Sequence, residues 1–343
     1  MLLSAGIELR NAALFASVCS LPLPASCCRL SGYPRRTAVK DEEANGGQER
    51  RLRTATDGVV SVYLVATAFL LFLAPGKPAG WRVVPAAHLG VVALIWLARG
   101  RASPRSGLFT VLRDWYPVFL MPLLFKEVEF LAARVGDWRL TAIVQEWDLA
   151  LFGADWSLEL SRSLPWVALS ELLHLSYFAY LLLVPVIGAR WYLAGRNREF
   201  RELVFLVVVT AYASYLFFVL FPVDSPFYLQ PPPGKPFDGY PFYKLVHVIS
   251  GQGGARGGAF PSAHVSITTV VWLVVLRNER RLAGWLLPVV AAIFFATVYG
   301  RFHYVLDVFA GWTLALLVYG SFRLLFRQET GQQRGRMDMN RDH

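Results

Sequence analysis

The sequence predicts an all-α, polytopic membrane protein, on the evidence of its composition, its apolar segments and the distribution of its basic residues. Of the 343 residues, 55% are apolar and 17% are charged, and the mean hydropathy is +0.42. Soluble domains carry roughly 25% charged residues, so this composition disfavours a soluble protein. The net charge of +10 is therefore interpreted as a membrane-topology signal, and no nucleic-acid partner is expected.

Eight apolar segments are candidate membrane spans. They cover residues 58–74, 83–98, 115–133, 166–188, 202–221, 264–276, 284–300 and 304–322. An α-helix needs about 20 apolar residues to cross the hydrocarbon core, so 83–98 and 264–276 are marginal unless their flanks contribute. The predicted organisation is a poorly ordered cytoplasmic leader (1–57), two leading spans (58–109), a six-span core (110–325) and a cytoplasmic tail (326–343).

The basic residues predict which side of the membrane each loop occupies. With the N-terminus inside, the inside segments hold 24 lysines and arginines and the outside segments hold 9. Basic residues favour the cytoplasmic side, so both termini are expected inside and the long loops 134–165 and 222–263 outside. All three cysteines lie in the first 28 residues, which argues against a disulfide framework in the membrane region.

The first chemical motif is the segment 257–264 (GGAFPSAH), which begins the sixth span at its outside end. Glycine lets the backbone approach an anion closely, Pro261 suits a first helical turn, and Ser262 is a good helix cap. The free amides of a helix N-terminus bind anions, so Gly258 and Ser262 are candidate ligands. His264 is placed to protonate a leaving oxygen. The alternative is a proline–serine helix cap beside an interfacial histidine.

The second motif is the segment 299–307 (YGRFHYVLD), at the outside end of the last span. His303 and Asp307 are four residues apart and therefore share one helix face. A carboxylate that accepts from one imidazole nitrogen leaves the other nitrogen free as a nucleophile. An ordinary polar pair is the alternative, but ionisable residues in a membrane span are costly and usually functional. Two histidines on one face suit phosphoryl transfer through a phosphohistidine.

Together these motifs resemble those of the type 2 phosphatidic acid phosphatase superfamily, which includes lipid phosphate phosphatases and vanadium haloperoxidases. Its Pro-Ser-x-His motif is matched by Pro261, Ser262 and His264, and its His-x3-Asp element by His303 and Asp307. The resemblance implies that His264 is the general acid and His303 the nucleophile. It also implies that Asp307 orients His303 and that the family's six-helix core lies within the last six spans.

The chain departs from that pattern in its basic residues. The family's Lys-x6-Arg-Pro motif has no match near residues 221–227, and Thr297 stands where the family has an arginine before the nucleophile. A phosphoryl site needs positive charge, so Arg301 and Arg256 are the candidate substrate-binding cations. The sequence around Arg301 is similar to the inositol-phosphoceramide-synthase-like branch of the superfamily.

Other polar residues of the spans are expected to be structural. Lys126 and Glu129 are three residues apart in the third span, and this spacing favours a buried ion pair, with a substrate site as the alternative. Glu171 and His174 have the same spacing in the fourth span, and a structural pair is favoured there too, with a head-group pocket as the alternative.

The function that the resemblance implies is that of a metal-independent phosphatase or phosphotransferase. Its substrate would be a phospholipid or lipid phosphate in the bilayer, with no cofactor and no metal. Two alternatives remain: a head-group phosphotransferase of the inositol-phosphoceramide-synthase type, and a non-catalytic lipid-binding membrane scaffold. Arginine far outnumbers lysine, which favours a bacterial source and hence a bacterial plasma membrane. The active site is expected on its non-cytoplasmic face.

Overall fold

A computed structural model describes residues 35–74, 81–99, 107–135, 140–229 and 240–339, and over these ranges the chain is helical without β-strands. The helices are α1 (Arg35–Leu73), α2 (Val83–Arg99), α3 (Leu108–Val135), α4 (Thr141–Phe152), α5 (Trp156–Ser163), α6 (Val167–Leu193), α7 (Asn197–Leu220), α8 (Pro226–Leu229), α9 (Pro241–Gly253), α10 (Ala263–Asn278), α11 (Arg280–Tyr299) and α12 (Val305–Met339). Residues 45–343 form one compact unit, which contains all the contacts that follow.

Six of the described helices are long and apolar enough to cross a membrane. They are α1 over Gly46–Leu73, α3 over Leu108–Ala133, α6, α7, α11, and α12 over Val305–Phe326. The shorter helices α2 and α10 are also apolar and correspond to the two segments that the sequence marks as marginal. The predicted all-α polytopic fold is confirmed. The predicted long loops differ from expectation, because 134–165 contains α4 and α5, and 222–263 contains α8 and α9.

The first helix begins earlier than the first predicted span. The boundary that the sequence analysis places after residue 57 falls inside α1, and Asp57 is buried there. Asp57 accepts hydrogen bonds from Arg99 Nε at 3.2 Å and from the Tyr116 hydroxyl at 2.8 Å. This carboxylate therefore joins α1 to α2 and α3. Residues 1–34 of the predicted leader, including the cysteines, lie outside the described residues.

The centre of the bundle is α7, which is almost entirely apolar from Leu203 onward and largely buried there. Helices α3, α6, α10 and α12 all pack against it. Helices α10 and α12 also pack on each other, with Gly311 of α12 at the start of α10. A Cβ atom at Gly311 would lie only 2.4 Å from the Ser262 carbonyl oxygen, so this close approach requires glycine. It brings the two sequence motifs side by side.

Three short helices lie at the end of the bundle where these motifs meet. Helix α4 packs on α12, α5 packs on α11, and α9 packs on α6. Glu171 of α6 accepts hydrogen bonds from the backbone amides of Phe242 and Tyr243, both at 2.9 Å. Glu171 thus caps the N-terminus of α9, whereas His174 is hydrogen-bonded to the Ser170 carbonyl at 2.7 Å. The two side chains therefore bond to different partners rather than to each other.

Candidate active site

The structure brings the two motif histidines into contact. His264 lies in the first turn of α10, and His303 lies in the turn between α11 and α12. Nδ1 of His264 is 3.3 Å from Nε2 of His303. One of these two nitrogens must carry the shared proton, because a hydrogen bond needs one donor and one acceptor.

The surroundings of His303 identify which of the two nitrogens carries the shared proton. His303 Nδ1 is 3.0 Å from the Ala259 carbonyl oxygen and 3.4 Å from Oδ2 of Asp307. Carbonyl and carboxylate oxygens only accept, so Nδ1 of His303 carries the proton in the neutral ring. Nε2 is then the unprotonated nitrogen, and its lone pair accepts from Nδ1–H of His264. The geometry therefore leaves a lone pair on His303 Nε2 and places on Nδ1 of His264 the proton that faces it.

Asp307 joins the two motifs through its side chain and its backbone. Its fully buried Oδ2 accepts from the Tyr304 amide at 2.9 Å, and its carbonyl accepts from the Ser262 amide at 3.0 Å. Oδ1 has no hydrogen-bond partner within the described part of the chain. An under-bonded buried carboxylate favours positive charge close by, and the adjacent His303 imidazole is a group that can carry one.

Two serine side chains, one on α5 and one just before α8, bond to the turn that carries His303. Arg301 has a φ of 62°, in the left-handed region, and its buried guanidinium donates to Ser161 Oγ of α5 from Nε at 3.3 Å and from Nη2 at 3.1 Å. Ser225 Oγ donates to the Phe302 carbonyl at 2.6 Å. Burial, followed by the nearby Arg162, lowers the pKa of Arg301 from its ordinary value. These contacts fix the backbone immediately before His303.

Asp148 of α4 caps the start of α12, a role that the sequence analysis does not assign. Its buried carboxylate accepts a hydrogen bond from the Leu306 amide at 2.7 Å. Burial raises the pKa of the Asp148 carboxyl to about 6, and the hydrogen bond from Leu306 opposes part of that rise. The N-terminus of α12 is thus capped by a carboxylate more than 150 residues away in the chain.

Both histidines line a cavity of about 1000 Å³ with predominantly apolar walls. Tyr177 and Tyr180 of α6 pack their rings on His264, with ring centroids 4.6 and 4.4 Å from the imidazole. Tyr177 also stacks on Phe302 at 4.1 Å. This aromatic packing restricts the orientation of His264 and makes the surroundings of the histidines largely apolar.

Lys126 lines the same cavity, and the expected buried pair with Glu129 is wrong. The Lys126 side chain is exposed, and its ammonium donates to the carbonyl oxygens of Gln252 at 2.7 Å and Gly254 at 3.1 Å. An ammonium has three N–H donors, so two are used in these bonds. A signal was present in the sequence, because a lysine in a membrane span is a functional candidate by default.

The four predicted binding residues occupy different positions. Gly258 lines the cavity, and Ser262 caps α10 by accepting from the Val265 amide at 3.4 Å. Arg256 is exposed and lies over the Tyr228 ring, 5.3 Å from its centroid. Among the residues that the structure describes as lining the cavity, neither Arg256 nor Arg301 appears. Their assignment as substrate-binding residues stays a prediction.

Comparison with known proteins agrees with the motif analysis. A sequence model of the PAP2 superfamily matches residues 144–321, a little over half of the chain. The matched region contains His264, His303 and Asp307. The chain matches no curated protein and no solved structure.

Proposed function

The chain belongs to the PAP2 superfamily, and from this membership we propose that it is a metal-independent phosphatase or phosphotransferase of the membrane, acting on a phosphorylated lipid. The observation that carries the proposal is the contact of Nε2 of His303 with Nδ1 of His264 inside an apolar cavity. An oriented nucleophile facing a proton donor is the arrangement that phosphoryl transfer through a phosphohistidine needs.

The proposed reaction has two steps. His303 Nε2 attacks phosphorus, the bond from phosphorus to the lipid oxygen breaks, and the departing alkoxide takes a proton from the His264 imidazolium, which becomes a neutral imidazole. Asp307 stabilises the phosphorylated, cationic imidazole through Nδ1–H. An acceptor hydroxyl then attacks phosphorus, His264 removes its proton, and the bond from phosphorus to His303 breaks. The acceptor is water in a phosphatase and an alcohol in a phosphotransferase.

We assign Lys126 the positive charge that stabilises the transferring phosphoryl group. Within the described ranges, it is the one lysine or arginine that lines the cavity of the two histidines. Its contacts with Gln252 and Gly254 hold the ammonium against the glycine-rich segment that leads into the Pro-Ser-x-His motif. A positive charge that is held in place by two hydrogen bonds beside the bound substrate stabilises a developing phosphoryl charge without having to reorganise.

Arg301 is expected to act by holding the turn of His303. Ser161→Ala removes one acceptor of its guanidinium, the one on α5, and should lower kcat by about 10- to 100-fold with little change in KM, because His303 is then less well positioned. The measurement is the hydrolysis of p-nitrophenyl phosphate, compared with Ser163→Ala, an exposed serine of the same helix. If Arg301→Ala loses activity while Ser161→Ala retains it, the bond to Ser161 does not position the turn, and direct binding of phosphate by Arg301, as the sequence analysis predicts, is favoured.

The decisive test of the function is phosphate release from a short-chain phosphatidic acid by the purified protein in the presence of a metal chelator. Release that depends on His303 supports the proposal. The head-group phosphotransferase of the inositol-phosphoceramide-synthase type is separated by adding an alcohol acceptor and analysing the lipid products. Failure of both reactions favours the non-catalytic lipid-binding scaffold, to which the lack of basic residues near 221–227 also points.

We further propose that the site faces the non-cytoplasmic side of a bacterial plasma membrane, on the distribution of basic residues. Ser163 and Ala194 are exposed and flank the two ends of α6, and α5 marks the active-site end because Ser161 contacts Arg301. In a variant without the native cysteines, Ser163→Cys should react with an impermeant thiol reagent on intact cells. Ala194→Cys should react only after permeabilisation, and the reverse pattern would place the site in the cytoplasm.

A further inference from the structure

The cavity of the histidines continues as a groove between α3 and α6. Both helices pack against α7, and the groove between them has Tyr215 of α7 and Ile267 of α10 in its wall. Its sides are apolar and are formed by Val118, Phe119, Pro122, Leu181, Val184 and Pro185. Its imidazoles and its ammonium lie towards one end, because Lys126 is the last lining residue of α3 and His264 packs on Tyr177, the first lining residue of α6.

The far end of the groove is formed around a tryptophan that packs on a glycine. Trp115 of α3 lines the cavity there with Val111 and Ala189, and its side chain is buried. A Cβ atom built on Gly188 of α6 would lie only 2.9 Å from Cη2 of Trp115, so the indole reaches across to α6 because residue 188 has no side chain. Phe200 supports the indole from behind, with the ring centroids 5.0 Å apart.

The length of the groove matches one leaflet of a bilayer. Trp115 and Lys126 are separated by about 16 Å along the axis of α3, and Gly188 and Tyr177 by the same length along α6. The hydrocarbon of one leaflet is about 15 Å thick, half of the bilayer core. An extended acyl chain of a membrane lipid therefore fits between the phosphate-binding end and Trp115.

We propose that this groove binds one acyl chain of the phosphorylated lipid and that Trp115, seated on Gly188, sets the chain length that the protein prefers. The proposal rests on the proposed function, because the histidines fix the position of the phosphate. A chain that is too long meets the indole before its phosphate reaches His303, and a chain that is too short leaves apolar surface unfilled. In a hydrophobic pocket, one methylene more than the pocket accommodates changes kcat/KM by about 10-fold.

The test is a chain-length profile. Lysophosphatidic acids with a single saturated chain, in a series rising by two carbons, are presented in mixed micelles at constant surface concentration, and kcat/KM is measured for each. We expect an optimum for the wild-type protein, displaced to longer chains in Trp115→Ala and to shorter chains in Leu181→Trp. Leu181 lies one turn beyond Tyr177 and is half exposed, so tryptophan there shortens the groove without disturbing the core.

Two controls make every outcome informative. Trp312→Ala removes a half-exposed tryptophan of α12 that is not among the described cavity-lining residues, and its profile should match the wild type. Hydrolysis of p-nitrophenyl phosphate, which has no acyl chain, is the reference to which each profile is normalised. If Trp115→Ala does not fold, Trp115→Phe and Leu181→Trp carry the test.

The inference is overturned if the protein hydrolyses these substrates but neither Leu181→Trp nor a folded Trp115 variant moves the optimum. A strong preference for a polyprenyl phosphate over every acyl substrate would also overturn it. If the wild-type protein hydrolyses neither p-nitrophenyl phosphate nor any lipid phosphate, the proposed function itself fails, and that result is distinct from an unchanged profile.

Discussion

His303→Ala should abolish phosphate release from a lipid phosphate and from p-nitrophenyl phosphate alike. No other described imidazole combines a hydrogen-bonded Nδ1 next to a carboxylate with an Nε2 that faces His264. Loss of a nucleophile costs on the order of 10⁴- to 10⁶-fold in kcat, whatever the leaving group. The variant should fold, which is checked by its elution and thermal unfolding in detergent.

His264→Ala should behave differently on the two substrates. A lipid alkoxide needs a proton to leave, whereas a nitrophenolate does not, so most lipid activity is lost while the release of nitrophenolate remains measurable. The phosphoenzyme should accumulate, because the second step then lacks its base. Asp307→Asn should be intermediate, and His88→Gln, at a buried histidine that is not among the described cavity-lining residues, serves as the control for histidine removal.

Three results would contradict these roles. Nitrophenyl activity in His303→Ala together with its loss in His264→Ala would exchange the nucleophile and the acid. Activity of both variants on both substrates would mean that the motif is structural and would favour the scaffold. Equal losses in His264→Ala on both substrates would mean that His264 acts other than by protonating the leaving group.

Lys126→Ala should lower kcat by about 10²- to 10³-fold, or 2.7–4 kcal/mol, the cost of removing one donor that stabilises a developing oxyanion. The rate is measured with p-nitrophenyl phosphate and with a short-chain phosphatidic acid. Lys126→Arg keeps the charge and should retain part of the activity. Lys244→Ala removes an exposed lysine of α9 that is not among the described cavity-lining residues and should have little effect.

Lys126→Gln separates charge from structure. A glutamine amide can donate to a carbonyl such as that of Gln252 or Gly254 but carries no charge. We expect Lys126→Gln to be as impaired as Lys126→Ala, although its thermal unfolding stays close to that of the wild type. Full activity in Lys126→Gln would mean that Lys126 only connects α3 to the glycine-rich segment. Arg256 and Arg301 would then be the remaining candidates for the cation that binds phosphate.

The spans were predictable because apolar character is a local property of the sequence. Even the two marginal segments, 83–98 and 264–276, correspond to the two short apolar helices. Helices α4, α5 and α9 were missed, because short and partly polar helices carry no such signal and are stabilised by packing on the spans. Their consequence for the site is direct, since α4 supplies Asp148 and α5 supplies Ser161.

The site was predictable only where its chemistry is local in sequence. The spacing alone pairs His303 with Asp307. The predicted membrane topology alone places His264 on the same side of the membrane as His303. No local pattern reveals that Lys126 reaches Gly254, because that contact depends on how α3 packs against a distant segment. The i,i+3 spacing with Glu129 suggested a partner that was close in sequence, and a pair of carbonyl oxygens proved to be the actual partner.

The hydrogen bond between His264 and His303 has a consequence for the proposed mechanism. The Nε2 lone pair that would attack phosphorus accepts a hydrogen bond in the resting protein, and the backbone bond from Ser262 to Asp307 holds the two motifs together. In that mechanism a phosphate has to enter between the rings and replace this hydrogen bond before His303 attacks. The bond is worth only about 1 kcal/mol, so a bound phosphate can replace it, while it lowers the reactivity of the resting imidazole towards small electrophiles that do not separate the rings.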